Sequence, residues 1–266
     1  MIKSIFVDPL DINGIENSGA NHLIVTLDHL TLKVWEKLRL HTWCVKLDLA
    51  ICITALEQGD CPASPKAFDQ LAHKLQAALT YKAAEIWLDH FRFDGSWEQI
   101  KGSQIPNLHA DCKWCRGKDR VQILLDHLNK AKQYIGHQAK LGYFAVPFRS
   151  EEVPQLTSSL GQDHSILGKI FDASSPMFYH RMIGKPTTYI SEFVSWMHQQ
   201  TKKPILPIIQ IKDMPDNLED RLTKEEITQA FKEAQKPPSE GVCFFNWTQA
   251  QQMQKSSIIH KLFTTP

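Results

Sequence analysis

The residues best placed to do chemistry lie in one short stretch, Glu85-Ile-Trp-Leu-Asp-His-Phe-Arg-Phe-Asp94. An apolar run ends on a carboxylate, Asp89, and an Arg follows three residues later. Such an Asp can serve as nucleophile or as charge stabiliser beneath an oxocarbenium-like carbon. Arg92 at that spacing is expected to hold the carboxylate ionised and in place. Polar side chains also close other apolar runs: Asp8, Asp28, Glu57, Arg149 with Glu151 and Glu152, Tyr179-His180-Arg181, Gln210 with Lys212 and Asp213, and Asn246-Trp247. Any one of them is ordinary, because strands emerge into water at their ends. Their convergence on one rim is what would make a site.

The elements that must position these groups alternate. Eight strands are expected: Ile2–Val7, His22–Leu27, Leu47–Thr54, Glu85–Leu88, Leu141–Val146, Ser175–Tyr179, Ile205–Ile211 and Gly241–Asn246. Most are continuous apolar runs, as in strands covered on both faces of a parallel sheet. Helical stripes separate them. Ser64-Pro65 reads as a helix start ahead of Phe68, Leu71, Leu75 and Leu79, and Thr223 with Glu226 reads as a capping box. Further helices are expected over Thr31–Leu40 and Thr248–Leu262. The connection Pro9–Asn21 is too short for a full helix. Alternating units imply parallel strands with right-handed crossovers, and eight of them imply a single (β/α)8 TIM barrel over residues 1–266. An open doubly wound sheet is the architectural alternative. Two long connections, Phe91–Lys118 and Pro147–Gly161, leave from C-terminal strand ends, the face where barrels place their sites.

Composition narrows the classes. The net charge of +1, from 30 basic and 29 acidic residues, gives no electrostatic footprint for nucleic acid or an anionic membrane. No run approaches the ~18 apolar residues of a membrane span, and the N-terminal apolar run is too short for an export signal. A cytoplasmic location is expected for the chain as it stands, and a secreted or periplasmic one if such a signal has been removed. Phosphate-loop, dinucleotide, nucleophile-elbow and zinc-protease motifs do not occur. No cofactor is expected.

Four segments resemble, in order, the bacterial glycoside-hydrolase barrels that are distant relatives of the α-amylase type. Ile86-Trp-Leu-Asp-His-Phe-Arg-Phe93 is similar to their fourth strand and Ser175-Pro-Met-Phe-Tyr179 to their sixth. Pro207-Ile-Ile-Gln210 is similar to the seventh, and Gly241 to Trp247 to the eighth. The resemblance implies a barrel acting on a polysaccharide or oligosaccharide, with Asp89 in the nucleophile position. The chain departs from that pattern in its short first unit and in a fifth strand that ends Val-Pro-Phe without an acid.

Glycosidases need a second carboxyl group. Glu152 (with its neighbour Glu151) and Asp213 are the expected candidates, with Asp28 able to serve instead. Asp28, Arg92, Tyr179, His180, Gln210, Asn246 and Trp247 are expected to bind the sugar. Trp97, Trp114, Phe148, Tyr179 and Trp247 are candidate stacking platforms. A non-catalytic carbohydrate-binding barrel is one alternative; a metal-dependent hydrolase using Asp28, His180 and the cysteine loop is another.

That loop reads His109-Ala-Asp-Cys-Lys-Trp-Cys115. Cys112 and Cys115 have the spacing of half a zinc site, His109 is a possible third ligand and Cys61 a distant fourth. Packed thiols, a loop disulfide and a metal site all fit the spacing, and no metal ligand is assigned from sequence. Cys52 and Cys243 lie in apolar runs and read as buried thiols.

Overall fold

A computed structural model describes residues 1–45, 47–95, 108–153, 155–215 and 219–265. Eight parallel strands close into a barrel in chain order: β1 (Ile2–Val7), β2 (His22–Thr26), β3 (Asp48–Thr54), β4 (Glu85–Asp89), β5 (Lys140–Ala145), β6 (Ala173–Phe178), β7 (Ile208–Gln210) and β8 (Gly241–Phe245). Strand β8 pairs back onto β1 through Ile2↔Gly241 to Ile5↔Phe244. The helices are α1 (Leu32–Val45), α2 (Ala67–Thr80), α3 (Arg120–Ile135), α4 (Gln155–Leu160), α5 (His164–Ile170), α6 (Thr188–Thr201), α7 (Lys224–Ala234), α8 (Trp247–Gln252) and α9 (Ser256–Thr264).

The first connection holds a one-turn helix, Ile15–Asn17, as its short length implies. Two expectations of the sequence need correction. Helix α2 begins at Ala67 rather than at Pro65, because Ser64 and Pro65 form a preceding turn closed by Ala67 N to Ser64 O at 3.1 Å. The last helix is two: Gln254, at φ 55°, breaks it between α8 and α9. The capping box at α7 is present on both sides, Thr223 Oγ1 taking Glu226 N and Glu226 taking Thr223 N.

Alternation along the strands fixes what the barrel holds inside. Phe6, Ile24, Cys52, Trp87, Phe144 and Ile208 form one apolar cluster. Trp87 fills the interior because its cross-strand neighbour is Gly142; a Cβ there would lie 2.6 Å from the indole. Phe144 packs against Trp87 and Phe6, with ring centroids 5.6 and 5.8 Å away. Below them, at the N-terminal ends, Ser4 Oγ and His22 Nδ1 are 2.8 Å apart and His22 Nε2 is 3.5 Å from Glu85. This polar brace sits on the barrel's stability face.

Candidate functional site

Two residues beyond each interior residue, the same alternation brings the next side chain inward at the C-terminal mouth. Trp87 is followed by Asp89, Met177 by Tyr179, Ile208 by Gln210 and Cys243 by Phe245. A cavity of about 180 Å³ lies there, lined by Phe6, Asp89, His90, Arg92, Phe144, Met177, Tyr179, Ile208, Met214 and Phe245. It continues into an open groove of about 580 Å³ past Gln58, Gly59, Asp94, Gly95 and Leu108. His90, Arg92, Tyr179 and Met214 line both, so cavity and groove form one depression.

Asp89 ends β4 and is half-buried. His90 holds it: the His90 amide donates to Asp89 Oδ1 at 2.8 Å, and His90 itself adopts φ 51°. A left-handed non-glycine residue costs on the order of 1 kcal/mol, strain of the kind that collects at functional sites. Arg92 lines the same cavity as Asp89 and Tyr179, as expected. It is buried and donates from Nη1 to the carbonyl oxygens of Phe93 and Gly95 at 3.3 and 3.4 Å. Burial lowers its pKa, while the charges of Asp89 and Asp94 favour the cation. The guanidinium therefore acts on Asp89 through space, and the His90 amide orients the carboxylate.

Asp28 joins the rim through the strand register. Thr26 pairs with Cys52, Cys52 with Trp87 and Thr54 with Asp89, and the ladder runs on through Leu27 N to Cys52 O at 2.8 Å. Asp28, in the turn two residues past Thr26, is exposed near that end of the barrel and lines neither the cavity nor the groove. Burial pushes the Cys52 thiol well above its usual pKa, and the charges of Asp89 and then Asp28 push it further. Cys52 therefore stays a protonated thiol within the apolar interior of the barrel.

Tyr179 packs at a 46° tilt against Phe245, centroids 5.5 Å apart, and it lines cavity and groove. Gln162 is fully buried and fastens the mouth. Its Nε2 donates to Phe91 O and Phe144 O at 3.2 and 3.4 Å, and its Oε1 accepts from Val146 N at 3.0 Å. Sequence gave no sign of Gln162, since a Gln opening a helix looks like any solvated residue.

Other expected site residues lie away from the cavity. Glu152 accepts from Tyr189 Oη at 2.5 Å, from Lys185 at 3.2 Å and from the Arg149 amide at 3.3 Å. Burial opposes its charge, but these donors hold it below the usual carboxylate range. A carboxyl held ionised is a poor proton donor, so its environment does not suit a general acid. Asp213 is buried and paired with Arg181 at 3.0 Å, and it also accepts from the Arg221 amide at 2.9 Å. Gln210, buried at 1 % exposure, donates to Lys212 O at 3.1 Å and does not line the cavity.

His180 follows inward Tyr179 and so faces outward by alternation; burial keeps its pKa down. Asn246 caps α8 by accepting from Gln249 N at 2.8 Å. Trp247 is buried outside the barrel with Nε1 donating to Asn13 O at 3.0 Å. Phe148 is likewise buried away from the cavity, and Trp114 is exposed. Trp97 lies outside the described residues.

With this geometry in place, solved structures supply the comparison. The glycoside hydrolase domain of PgaB (BpsB) from Bordetella bronchiseptica superposes with a TM-score of 0.70 at 10 % identity, covering 100 % of this chain and 99 % of that one. The chain shares the closed (β/α)8-barrel fold of that domain. The glycoside hydrolase domain of PelA from Pseudomonas aeruginosa superposes at 0.53 with 11 % identity, covering 91 % and 94 %. A D-tagatose 3-epimerase-like protein does so at 0.55 with 12 % identity, covering 98 % and 97 %. At such identities the likeness is one of fold. No sequence-family profile and no curated protein matches the chain. No helix among the described residues is long and apolar enough to cross a membrane.

Proposed function

We propose that this barrel is a glycoside hydrolase that cleaves a polysaccharide or oligosaccharide at the C-terminal mouth, with Asp89 beneath the reacting sugar carbon. The observation that carries the reading is the setting of Asp89: a carboxylate oriented by a strained neighbour, at the edge of a cavity walled by Phe6, Phe144, Tyr179 and Phe245. Aromatic rings pack on the apolar face of a pyranose, and the polar rim meets its hydroxyls. The groove past Gln58, Asp94 and Leu108 offers room for further sugar units. The PgaB and PelA domains that share the fold are themselves described as glycoside hydrolases, which supports the reading.

Asp28 supplies the second carboxyl in this account. Strand register puts the end of β2 two strand spacings from β4, roughly 10 Å between backbones. Inverting enzymes hold their two carboxyl groups ~6.5–9.5 Å apart, and Asp28 would have to reach Asp89 across that gap. Proton transfer from Asp28 to the leaving oxygen would accompany attack by a water that Asp89 activates. The placement of Glu152 and Asp213 away from the cavity favours a second reading, a barrel that binds carbohydrate without cleaving it.

One assay separates the two readings. The purified chain is incubated with a panel of polysaccharides, and both new reducing ends and retention on the immobilised polymer are measured. Reducing ends supports the hydrolase. Retention without cleavage across the panel supports the binding barrel, and neither result on any carbohydrate removes both.

A further inference from the structure

The connection after β3 and the long excursion after β4 meet at four side chains: Cys61 from the first, and His109, Cys112 and Cys115 from the second. One ligand-type atom from each lies within 4.8 Å of all the others. Tetrahedral zinc bound by thiolates at ~2.3 Å needs edges of about 3.8 Å, so each pair has at most about 1 Å to close. Cys61, His109 and Cys115 are buried and Cys112 is half-buried. None of the three thiols is in a disulfide.

An odd number of thiols with an imidazole among them suits a metal better than a disulfide, which would take two sulfurs and strand the third. The local backbone is already wound around the cluster. Cys112 N donates to His109 O at 3.2 Å, Arg116 N to Cys112 O at 3.0 Å and Lys118 N to Cys115 O at 3.0 Å. Asp94 Oδ2 stands 3.8 Å from His109 Nε2 and accepts from Gly59 N at 2.7 Å. A carboxylate beside the imidazole is what orients histidines at metal sites.

We propose that Cys61, His109, Cys112 and Cys115 bind one Zn²⁺ as a closed structural site that staples the β3 connection to the β4 excursion. Four protein ligands leave no open position for substrate or water, so the metal's role is to hold. What it holds is a wall of the candidate site, because Gly59, Asp94 and Leu108 line both the groove beside Asp89 and the hollow over the cysteines. Three thiolates around Zn²⁺ leave one net negative charge, and the loop carries Lys113, Arg116 and Lys118 in the same turn of chain. The proposal stands whether or not the barrel cleaves sugars.

The test is metal analysis of the whole chain, purified reduced and without chelator. Equimolar zinc is expected, released when a mercurial blocks the thiols. Replacing it with Co²⁺ should give thiolate-to-metal charge-transfer absorption and the intense visible bands of a tetrahedral ion. Cys61→Ser and Cys115→Ser should lose most of the metal. His109→Cys, which keeps four ligands, should retain it, so loss through misfolding is distinguishable from loss of a ligand. Sub-stoichiometric metal with no cobalt charge-transfer band in the reduced unmutated chain would overturn the site, as would a Cys112–Cys115 disulfide that persists in the native protein.

Discussion

The His90 amide donates to Asp89 Oδ1 at 2.8 Å while His90 itself sits at φ 51°. The carboxylate is aimed by backbone geometry, and the charge of the buried Arg three residues on faces it. His90→Gly relieves the left-handed backbone, keeps the amide and removes the imidazole. Stability should hold or rise by up to about 1 kcal/mol in thermal unfolding. A loss of stability would mean that the imidazole packs more than it strains.

Tyr179 should matter through its ring. Tyr179→Phe keeps the stack on Phe245 and should leave oligosaccharide affinity within a few-fold, whereas Tyr179→Ala should weaken it by roughly 10–100-fold. Isothermal titration with an oligosaccharide bound by the unmutated chain measures both. Equal losses in the two variants would place the hydroxyl, not the ring, at the centre of recognition.

Much of this was legible in sequence, and the exceptions have physical causes. The β4 run ends on Asp89 because an apolar strand buried on both faces breaks off where an inward carboxylate reaches water at the mouth. Tyr179 follows from the same alternation. Strand β7 is shorter than its apolar run implies: Ser174 and Ile205 meet only as an isolated bridge, and Pro204 and Pro207 have no N–H to give to the ladder. Asn246 and Trp247 were misleading because the strand hands over to α8 there, and inward alternation stops with it. Arg92 and Glu152 were readable as charged residues near the mouth, but which partner each takes depends on loop folding. The distance from Cys61 to His109 is invisible in a sequence that separates them by the whole of α2 and β4.

Gly142 is the position most sensitive to a single methyl. Gly142→Ala would place a Cβ 2.6 Å from the Trp87 ring, inside the barrel and below the cavity floor. Chemical denaturation should show a loss of about 1–3 kcal/mol, with an altered Trp fluorescence spectrum in the folded state. An unchanged midpoint and spectrum would mean that the barrel interior is looser than its packing indicates.

His164 ties stability to pH. It is buried, Nδ1 lies 3.1 Å from Tyr143 Oη and Nε2 2.9 Å from Val146 O, and burial lowers its pKa to about 4. Between about pH 4 and 6.5 the unfolded chain takes up a proton that the folded imidazole refuses. Stability is therefore full above pH 6.5 and falls as pH drops, with a loss approaching roughly 3 kcal/mol near pH 4. His164→Gln should be less stable at pH 7 yet lose less over that range in urea titrations. Parallel pH dependence in both proteins would show that another group carries the effect.

Asp28 and Asp89 should separate by leaving group. Asp28→Ala removes the proposed proton donor, so it should depress cleavage of natural glycosides by about 10²–10⁴-fold and spare aryl glycosides whose leaving groups need no proton. Equal loss on both substrates would remove Asp28 from that role.

The most direct measurement of the central claim compares Asp89→Asn with the unmutated chain on the same carbohydrate, following turnover, binding and melting temperature together. The substitution removes the charge and keeps the shape. Turnover should fall by roughly 10³-fold or more, while the carbohydrate still binds and the melting temperature stays within a few degrees. Undiminished turnover in a destabilised Asp89→Asn protein would contradict the account and make Asp89 a brace of the barrel mouth.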